Sequence, residues 1–600
     1  MKDIYFFILS FIIFCQSVSL SAQQGQSTMS YTVSMDSPSS HYFHVTLRCE
    51  GIREQTIDFK MPAWTPGYYM ILDLAKYVIN FQAEDDQGNE LIRRKINKNT
   101  WQVETRNAPV VIISYDVFAY VQSVAHPFLD DGRGFISPTG VFMYPDRYLH
   151  HPASVTVKPY YKWNKISTGL DRIEGMTNTF YASDFDMLYD CPILAGNQDI
   201  LSFEVQGIPH YVVMENQVDI DTVKYISDLK KMVLEAVKII GEIPYKHYTF
   251  LIMGEGMGGL EHRNSMAVFS SGGRYGLADP EGYKNWLAFL AHEYFHLYNV
   301  KTIRPVALGP FDYDRENYTN MLWFSEGVTV YYEYLILNRA GFLDSKESLE
   351  HMRMDITNYE NIPGHLVQPV TMTSFDTWIY FFNRGENASN TTISYYDKGC
   401  ALGMLLDLKI RYETKNEKSL DDVMRTLYYD FHKAKNRGFT DQEFQDVCEN
   451  IAGCSLAEFF EYTSTTKTID YPKYLAYAGL DIDTTLQNLP GVQMGADVYE
   501  HNGKVVISNV EWNSPAWYAG LSPKDTIIEL NGNLATSLLL NEILDSGKPG
   551  NKLEITIGRR TGRYNLEITP EPKQQRTFNI TRLSQPDPYQ AKILNNWLKN

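Results

Sequence analysis

The first part of the chain alternates hydrophobic and polar residues in short runs that turn residues separate. Such alternation puts every second side chain on one face of a strand, so it predicts sheets with a buried face. The clearest runs are Tyr42–Leu47, Val110–Tyr115 and Ala153–Val157. We therefore predict a β-sandwich-like N-terminal domain over residues 27–200.

Between residues 205 and 475 the hydrophobic positions recur every three or four residues, which predicts helices packed by one face. The predicted helices are Val223–Gly241, Tyr283–Val300, Ser325–Arg339, Lys398–Glu413 and Asp441–Thr463. Short strand-like runs return between residues 487 and 570, and residues 573–600 form a polar tail that ends in the apolar segment Ile593–Leu598. The pattern as a whole predicts a multidomain α+β protein.

The N-terminus has the layout of a secretory signal peptide over residues 1–22. Lys2 precedes an apolar run from Ile4 to Phe14, and small residues lead up to Ala22. The run is shorter than the roughly 20 residues of a spanning helix, and no later segment is long and apolar enough. We expect an exported protein, periplasmic or extracellular, without a membrane span after cleavage.

Composition excludes several classes of protein. Hydrophobic residues make up 44% and charged residues 21% of the 600 residues, which is a globular mixture. The net charge of −18 is spread along the chain and argues against nucleic-acid binding. Of six cysteines only Cys15 lies in the signal segment, so five remain, too few for a disulfide scaffold. Cys448 and Cys454 are close enough to pair, and burial as free thiols is an equal alternative.

The sharpest chemical signal is His292-Glu293-Tyr-Phe-His296 within a predicted helix. Residues four apart share one helical face, so both imidazoles can hold one ion. Neutral imidazoles with a carboxylate suit zinc, and a catalytic zinc site takes three protein ligands. Glu293, beside the first histidine, is placed to act as the general base.

The third zinc ligand must come from elsewhere in the chain. Glu326 opens the next helical run, in Trp323-Phe-Ser-Glu326-Gly, and is the favoured candidate. Glu333 lies two turns further along and is a rival or an outer partner of the metal ligands. Glu316, in the intervening loop, is a weaker rival.

These motifs resemble a known family. His-Glu-x-x-His followed by Trp-Phe-Ser-Glu-Gly is similar to the gluzincin peptidases, which implies Glu326 as the third ligand. The run from His292 to Pro305, together with Met61-Pro-Ala-Trp-Thr-Pro-Gly-Tyr68, resembles the glycyl aminopeptidase family. That resemblance implies an N-terminal β domain, a thermolysin-like, mostly helical catalytic domain over residues 205–475 and a PDZ domain. It also implies one zinc ion per chain.

Two further segments are similar to those of aminopeptidase N relatives. Gly258-Gly259-Leu-Glu261 implies that glycine backbone binds the substrate and that Glu261 holds its free α-ammonium. Tyr396, before Asp397-Lys-Gly399, aligns with the tyrosine that donates to the developing oxyanion, and Tyr395 is its neighbouring rival. We assign Asn299 and Arg304 to structural roles or to supporting the metal ligands from outside.

Residues 487–570 look like a bacterial PDZ domain. The diagnostic run is Ser514-Pro-Ala-Trp-Tyr-Ala-Gly-Leu521, followed by Asp525 and by Asn531-Gly532. PDZ domains bind extended C-termini by strand addition, so a protein C-terminus is a candidate partner, with Met494–Ala496 as the carboxylate loop. A docked structural domain without a ligand is the alternative.

The sequence therefore predicts an exported zinc metallopeptidase that acts on peptides. The favoured activity is an aminopeptidase that releases small N-terminal residues, and the preference for glycine or alanine comes from the family resemblance alone. One alternative is an endopeptidase to which the PDZ domain delivers substrates. The other is a non-catalytic peptide-binding or folding factor, which the complete set of His292, Glu293, His296 and Glu326 disfavours. The sequence leaves the oligomeric state open.

Overall fold

The structure, a computed structural model, describes residues 28–215, 220–270 and 279–599. The predicted signal peptide lies outside these residues. Among them, no helix combines the length and the apolar character needed to cross a bilayer. Their architecture confirms the predicted mixed α+β fold, with a β-rich N-terminal part, a helical middle part and a C-terminal PDZ domain.

The N-terminal part is built on a seven-stranded sheet and two four-stranded sheets. In spatial order, the seven strands are Asp171–Arg172, Thr179–Ala182, Ala153–Lys158, Thr28–Ser34, Tyr42–Glu50, Val110–Phe118 and Val78–Asp85. The first smaller sheet has the order Tyr144–Pro145, Thr56–Lys60, Thr100–Glu104 and Arg93–Lys95. The second has the order Lys165–Thr168, Ile193–Gly196, Arg133–Ile136 and Phe128–Leu129. The three predicted strand runs are confirmed, and alternate residues such as Val45 and Leu47 are buried in the core that the sheets share.

A five-stranded sheet opens the middle part of the chain. Its order is Asp199–Val205, Ile208–Met214, Tyr248–Met253, Ser265–Phe269 and Gly259–Glu261. The three central strands are parallel, and both outer strands are antiparallel to their neighbours. Gly259–Glu261 is therefore an edge strand with one open side.

Helices fill the rest of the middle part and follow the predicted runs closely. The longer ones are Thr222–Ile240, Pro280–Phe295, Val328–Ala340, Ser345–Glu360, Tyr395–Glu413, Asp441–Ala452 and Ala457–Ser464. The shorter ones are Val370–Phe375, Thr377–Tyr380, Ala388–Thr391, Leu420–Thr426 and Tyr471–Ala476. Two further segments, Trp323–Gly327 and Leu427–Ala434, are π-helical, and the short helix Phe185–Tyr189 belongs to the N-terminal part. The predicted helix Asp441–Thr463 is interrupted at Gly453, which adopts φ 71°.

The PDZ domain consists of an antiparallel sheet and two helices. Its strands are Ala496–His501, Lys504–Val510, Thr526–Leu530, Asn533–Leu534, Leu553–Arg559 and Gly562–Ile568, and its helices are Pro515–Ala519 and Ser537–Ser546. Asn390 joins it to the middle part, because its amide donates to the Val510 carbonyl (2.9 Å) and accepts from the Trp512 N–H (3.0 Å).

The segment predicted as a polar tail has regular structure. Glu571–Arg576 pairs with Leu486–Gln493, and Ile580–Arg582 pairs with Leu480–Ile482. The helix Pro588–Trp597 then packs on the middle part, where the Trp597 indole donates to the Tyr331 hydroxyl at 2.8 Å. The PDZ domain is therefore inserted between the middle part and a C-terminal segment that packs on the core of the middle part.

All five cysteines after residue 22 are free in the structure. Cys49, Cys191, Cys400 and Cys448 are buried, and Cys454 is half-buried. Of the two alternatives for Cys448 and Cys454, the structure has the free thiols. Burial raises the pKa of the Cys448 thiol well above its ordinary value, so this side chain acts as a small apolar group.

Candidate metal centre and active-site cleft

The helix Pro280–Phe295 presents both predicted histidine ligands from its last turn. It begins after Asp279, whose carboxylate accepts from the Gly282 N–H at 3.1 Å, with a proline in its first position. His296 follows directly as the C-cap, and its N–H still donates to the His292 carbonyl. The two imidazoles therefore keep the four-residue spacing that the sequence predicts.

His292, His296 and Glu326 form a compact cluster of ligand atoms. The two Nε2 atoms are 3.0 Å apart, and Glu326 Oε2 lies 3.2 Å from His296 Nε2 and 3.7 Å from His292 Nε2. Ligand atoms about 2.0–2.1 Å from a tetrahedral ion are about 3.4 Å apart, so these spacings fit a zinc ion. No other cluster of this kind occurs in the described part of the chain.

The second nitrogen of each imidazole has its own partner. His292 Nδ1 lies 2.9 Å from Glu333 Oε2, and His296 Nδ1 lies 2.8 Å from the carbonyl oxygen of Asn299. Both Nδ1 atoms therefore donate, which turns both Nε2 lone pairs toward the shared point. Glu333 thus contacts a ligand from outside the cluster, and Glu316 is not part of it.

The electrostatics of the cluster also favour a cation. Burial opposes a charge on His292, but the carboxylates of Glu326 and Glu333 outweigh this effect and raise its pKa well above the ordinary value. Burial likewise opposes the charge of Glu326, but His296 and His292 lower its pKa. The donor set and its excess of negative charge fit a zinc ion, which would be held by His292, His296 and Glu326.

Glu326 stands on a π-helical turn, Trp323–Gly327, and not on a regular α-helix. Such turns widen the helix locally and are frequent at functional sites. Asn299 stabilises this turn, because its amide donates to the Phe324 carbonyl at 2.9 Å and to the Thr329 hydroxyl at 3.1 Å. Asn299 therefore links the turn of Glu326 to His296, whereas Arg304 packs over the Phe311 ring.

Glu293 faces the cleft beside the cluster and contacts a glycine. A Cβ on Gly259 would lie 2.2 Å from Glu293 Oε1, so any larger residue there would displace the Glu293 carboxylate. Glu293 Oε2 is buried without a hydrogen-bond partner among the described residues. Burial, together with the nearby carboxylates of Glu261 and Glu326, raises the pKa of Glu293 to about 7. Such a value suits a general base near neutral pH.

Glu261 ends the edge strand Gly259–Glu261 and is buried against the N-terminal part of the protein. A Cβ on Gly67, which has φ +91°, would lie 2.5 Å from Glu261 Oε1. That oxygen has no hydrogen-bond partner among the described residues. The cation nearest to it is Lys301 Nζ at 3.5 Å, too long for a good hydrogen bond, so this buried carboxylate keeps the capacity to bind a further cation.

Tyr396, and not Tyr395, lines the cleft. The Tyr396 ring lies 6.2 Å from the His292 ring, centroid to centroid. The Tyr395 hydroxyl is turned into the protein and lies 3.0 Å from the Thr377 hydroxyl. Burial raises the pKa of Tyr396 well above its ordinary value, so its hydroxyl stays a donor.

These groups share one open cleft of about 950 Å³. The predicted site residues Gly258, Gly259, Glu261, His292, Glu293, His296, Glu326 and Tyr396 all line it. Sequence reasoning missed one wall, formed by Tyr68 of the N-terminal part and Phe382, whose rings stack at 4.2 Å. The family-like run Met61–Tyr68 marked this region without revealing a role for Tyr68.

Comparison with known protein families bears on this site. The Peptidase M61 N-terminal domain matches residues 30–197, the M61 glycyl aminopeptidase domain matches residues 285–402, and a PDZ domain matches residues 492–569. These matches confirm the family resemblance that the sequence motifs indicate.

Solved structures and curated relatives add to the comparison. The crystal structure of an aminopeptidase N family protein from Idiomarina loihiensis has a TM-score of 0.87 at 28% identity, over 95% of this chain and 100% of that one. An M1 zinc metallopeptidase from Deinococcus radiodurans has a TM-score of 0.48 at 13% identity, over 75% and 95% of the two chains, too distant to carry an argument. The carboxy-terminal processing protease CtpA of Bacillus subtilis (strain 168) is 35% identical over 78 residues, which are 13% of this chain and 16% of that protein.

Proposed function

We propose that this chain, a zinc-dependent peptidase with both domains of the M61 glycyl aminopeptidases, is an exported aminopeptidase that releases small N-terminal residues from peptides. The observation that carries the proposal is the buried Glu261 carboxylate, which lines the cleft of the metal cluster. An acidic group at a fixed distance from the metal favours a substrate with a free α-ammonium. Peptides with a free amino terminus are therefore the substrates.

The roles of the metal ligands and of Glu293 follow the chemistry of their side chains. His292, His296 and Glu326 would hold the zinc ion, which supplies a Lewis acid that polarises a carbonyl and acidifies water. Glu293 takes a proton from the attacking water and passes it to the leaving amine, a task that suits a carboxylate with a pKa of about 7.

Backbone and tyrosine donors complete the proposed mechanism. Gly258 and Gly259 offer their backbone to an extended peptide along the open edge of the strand Gly259–Glu261. Tyr396 donates a hydrogen bond from its hydroxyl to the oxygen on which negative charge develops, a contribution typical of preorganised donors. Glu261 holds the α-ammonium and so fixes how far the peptide enters the cleft.

The preference for glycine is supported by the description of the matching catalytic domain as a glycyl aminopeptidase, and alanine is added by the family resemblance of the sequence motifs alone. The aromatic wall of Tyr68 and Phe382 supports a restricted site for the first side chain, because stacked rings resist displacement. Export rests on the sequence pattern of residues 1–22. The first residue of the protein recovered outside the cytoplasm, read by N-terminal sequencing, tests cleavage after Ala22.

A second candidate is an endopeptidase that the PDZ domain assists. The segment Phe381–Thr392 favours it, because Phe382 lines the cleft while Asn390 bonds the PDZ domain. A protein C-terminus bound to the PDZ domain would then lie beside a wall of the cleft. In this case the cut falls inside the substrate, and the Glu261 carboxylate has no role in recognition.

The experiment compares peptides that begin with glycine or alanine, either free or N-acetylated, with the products read by mass spectrometry. We expect the loss of one residue from the free peptides only. The Glu293→Gln variant is the blank, and we expect it to keep its zinc and to lose turnover by roughly 10²–10⁴. Internal cuts in both kinds of peptide would overturn the aminopeptidase in favour of the endopeptidase.

A further inference from the structure

Behind Glu261 lies a buried lysine that holds two carboxylates together. Lys301 Nζ lies 2.9 Å from Asp190 Oδ1 and 3.5 Å from Glu261 Oε1. The exposed fractions of the three side chains are 7% for Lys301, 16% for Asp190 and 6% for Glu261. Charges buried this deeply are stable only when they are paired, so the position of each depends on the others.

Lys301 is fixed to the metal centre through its backbone. Its N–H donates to the His296 carbonyl at 3.0 Å, in the turn that follows the second histidine ligand. Burial opposes its charge, but Asp190 and Glu261 outweigh this effect and raise its pKa. The ammonium therefore stays charged beside Glu261.

Asp190 comes from the N-terminal part of the protein and completes the arrangement. Its carboxylate also accepts from the Arg263 backbone N–H at 2.8 Å and lies 3.2 Å from His262 Nδ1. Burial opposes its charge, but Lys301 and His262 lower its pKa to about 2. Asp190 thus fixes both residues that follow Glu261 and also fixes the lysine that contacts its carboxylate.

The net charge of this trio matches one substrate ammonium. Asp190 and Glu261 carry two negative charges and Lys301 carries one positive charge, which leaves one negative charge. Gly67 confines the Glu261 carboxylate on another side, because a Cβ there would lie 2.5 Å from Oε1. The carboxylate is therefore held by contacts with both parts of the protein.

We infer that Lys301, anchored by Asp190, is a positioning residue that fixes Glu261 for recognition of the substrate's free amino terminus. The inference rests on the proposed aminopeptidase function and extends it to two residues that do not touch the substrate. Without Lys301, Glu261 loses the cation that fixes it, and no ammonium stands between its carboxylate and that of Asp190. Recognition of the ammonium then weakens, while Glu293 and the metal ligands keep their places.

The test is steady-state kinetics of Lys301→Met on free glycyl and alanyl peptides. We expect KM to rise about 10-fold or more with kcat within about 3-fold, because a lost interaction common to ground and transition states raises KM. Lys301→Arg keeps the charge and should recover part of the loss. Zinc content should equal that of the wild type. Lys60→Met is the matched control, because Lys60 also joins the two parts of the protein, through Asp314 at 2.7 Å.

A double-mutant cycle separates positioning from a general structural role. In the Glu261→Gln background, Lys301→Met should raise KM no further, because Lys301 acts through Glu261. If the two increases in KM multiply instead, or if Lys301→Met leaves KM unchanged, the inference is overturned. If Lys301→Met does not fold, Asp190→Asn takes its place in the same cycle with the same expectations.

Failure of the proposed aminopeptidase function can be told apart from failure of the positioning role of Lys301. If the wild-type protein cleaves N-acetylated and free peptides alike, Glu261 is not an amine anchor, and the proposed function fails together with the inference. If the wild type discriminates but Lys301→Met, or Asp190→Asn in its place, keeps the wild-type KM, only the positioning role is overturned.

Discussion

Gly327 and Gly399 lie in direct backbone contact. A Cβ on Gly327 would come within 2.4 Å of the Gly399 Cα, and a Cβ on Gly399 would come within 2.2 Å of the Trp323 carbonyl oxygen. The contact joins the turn that carries Glu326 to the first turns of the helix that carries Tyr396. Two glycines without side chains thus set the distance between Glu326 of the candidate metal cluster and Tyr396 of the cleft.

We expect Gly399→Ala to destabilise the protein by about 1–3 kcal/mol, the usual cost of overpacking. In an open helix the same change would stabilise by roughly 0.5–1 kcal/mol, so the sign of the change in thermal midpoint is diagnostic. Zinc affinity should fall as well, because Glu326 must move. Gly385→Ala is the control, since nothing lies within 4 Å of a Cβ there. A Gly399→Ala variant as stable and as zinc-rich as the wild type would contradict the contact.

We expect Glu333→Gln to weaken zinc binding by roughly 10–100-fold, the usual effect of losing an outer partner of a ligating histidine. Glu333 orients His292 through its Nδ1 atom at 2.9 Å but contributes no atom to the cluster. Glu326→Gln removes a ligand and should weaken binding much further. Competition with a chelator of known affinity measures both. Equal losses of zinc affinity in the two variants would contradict the assignment of Glu326 as the ligand and of Glu333 as the outer partner.

Tyr396→Phe should lower kcat by roughly 10²–10³ with little change in KM, because a donor to developing charge acts in the transition state. Tyr395→Phe is the matched neighbour, and its hydroxyl lies against Thr377 inside the protein. We expect the second variant to lose some stability and to keep kcat within a few-fold. Single-turnover rates on one free glycyl peptide compare the two. A larger loss of kcat in Tyr395→Phe than in Tyr396→Phe would make Tyr395 the hydroxyl donor instead.

His210 should make the protein less stable in mild acid. Burial lowers its pKa to about 4 from an ordinary 6.5, and its Nε2 accepts from the Tyr245 hydroxyl at 2.7 Å. Below pH 6.5 the unfolded chain binds a proton that the folded chain refuses, so stability falls as the pH falls. The slope is at most about 1.4 kcal/mol per pH unit, and it ends near pH 4.

The His210→Phe variant tests this pH dependence, because phenylalanine fills the site and cannot titrate. Thermal midpoints from pH 8 to pH 4 should decline less steeply in the variant than in the wild type. The lost hydrogen bond lowers the variant's midpoint by the same amount at every pH, so only the slope is informative. Parallel declines in the two proteins would exclude His210 as a source of acid sensitivity.

The sequence by itself determined the main strands and helices and the pair of histidines in the candidate metal centre. A spacing of four residues puts His292 and His296 on one helical face whatever surrounds the helix. Alternating runs likewise gave the strands Tyr42–Glu50 and Val110–Phe118. In each case the information is local, because the periodicity of one segment decides which side chains share a face.

Only the tertiary structure decided which of several equivalent residues serves the site. Glu326 and Glu333 are seven residues apart, about two helical turns, so periodicity puts both on one face. Packing of the π-helical turn against Gly399 brings Glu326, and not Glu333, into the cluster. The partnership of Lys301 and Asp190 is still less visible in the sequence, because it joins two domains. Distances between elements depend on how their surfaces fit together, which no periodicity along the chain records.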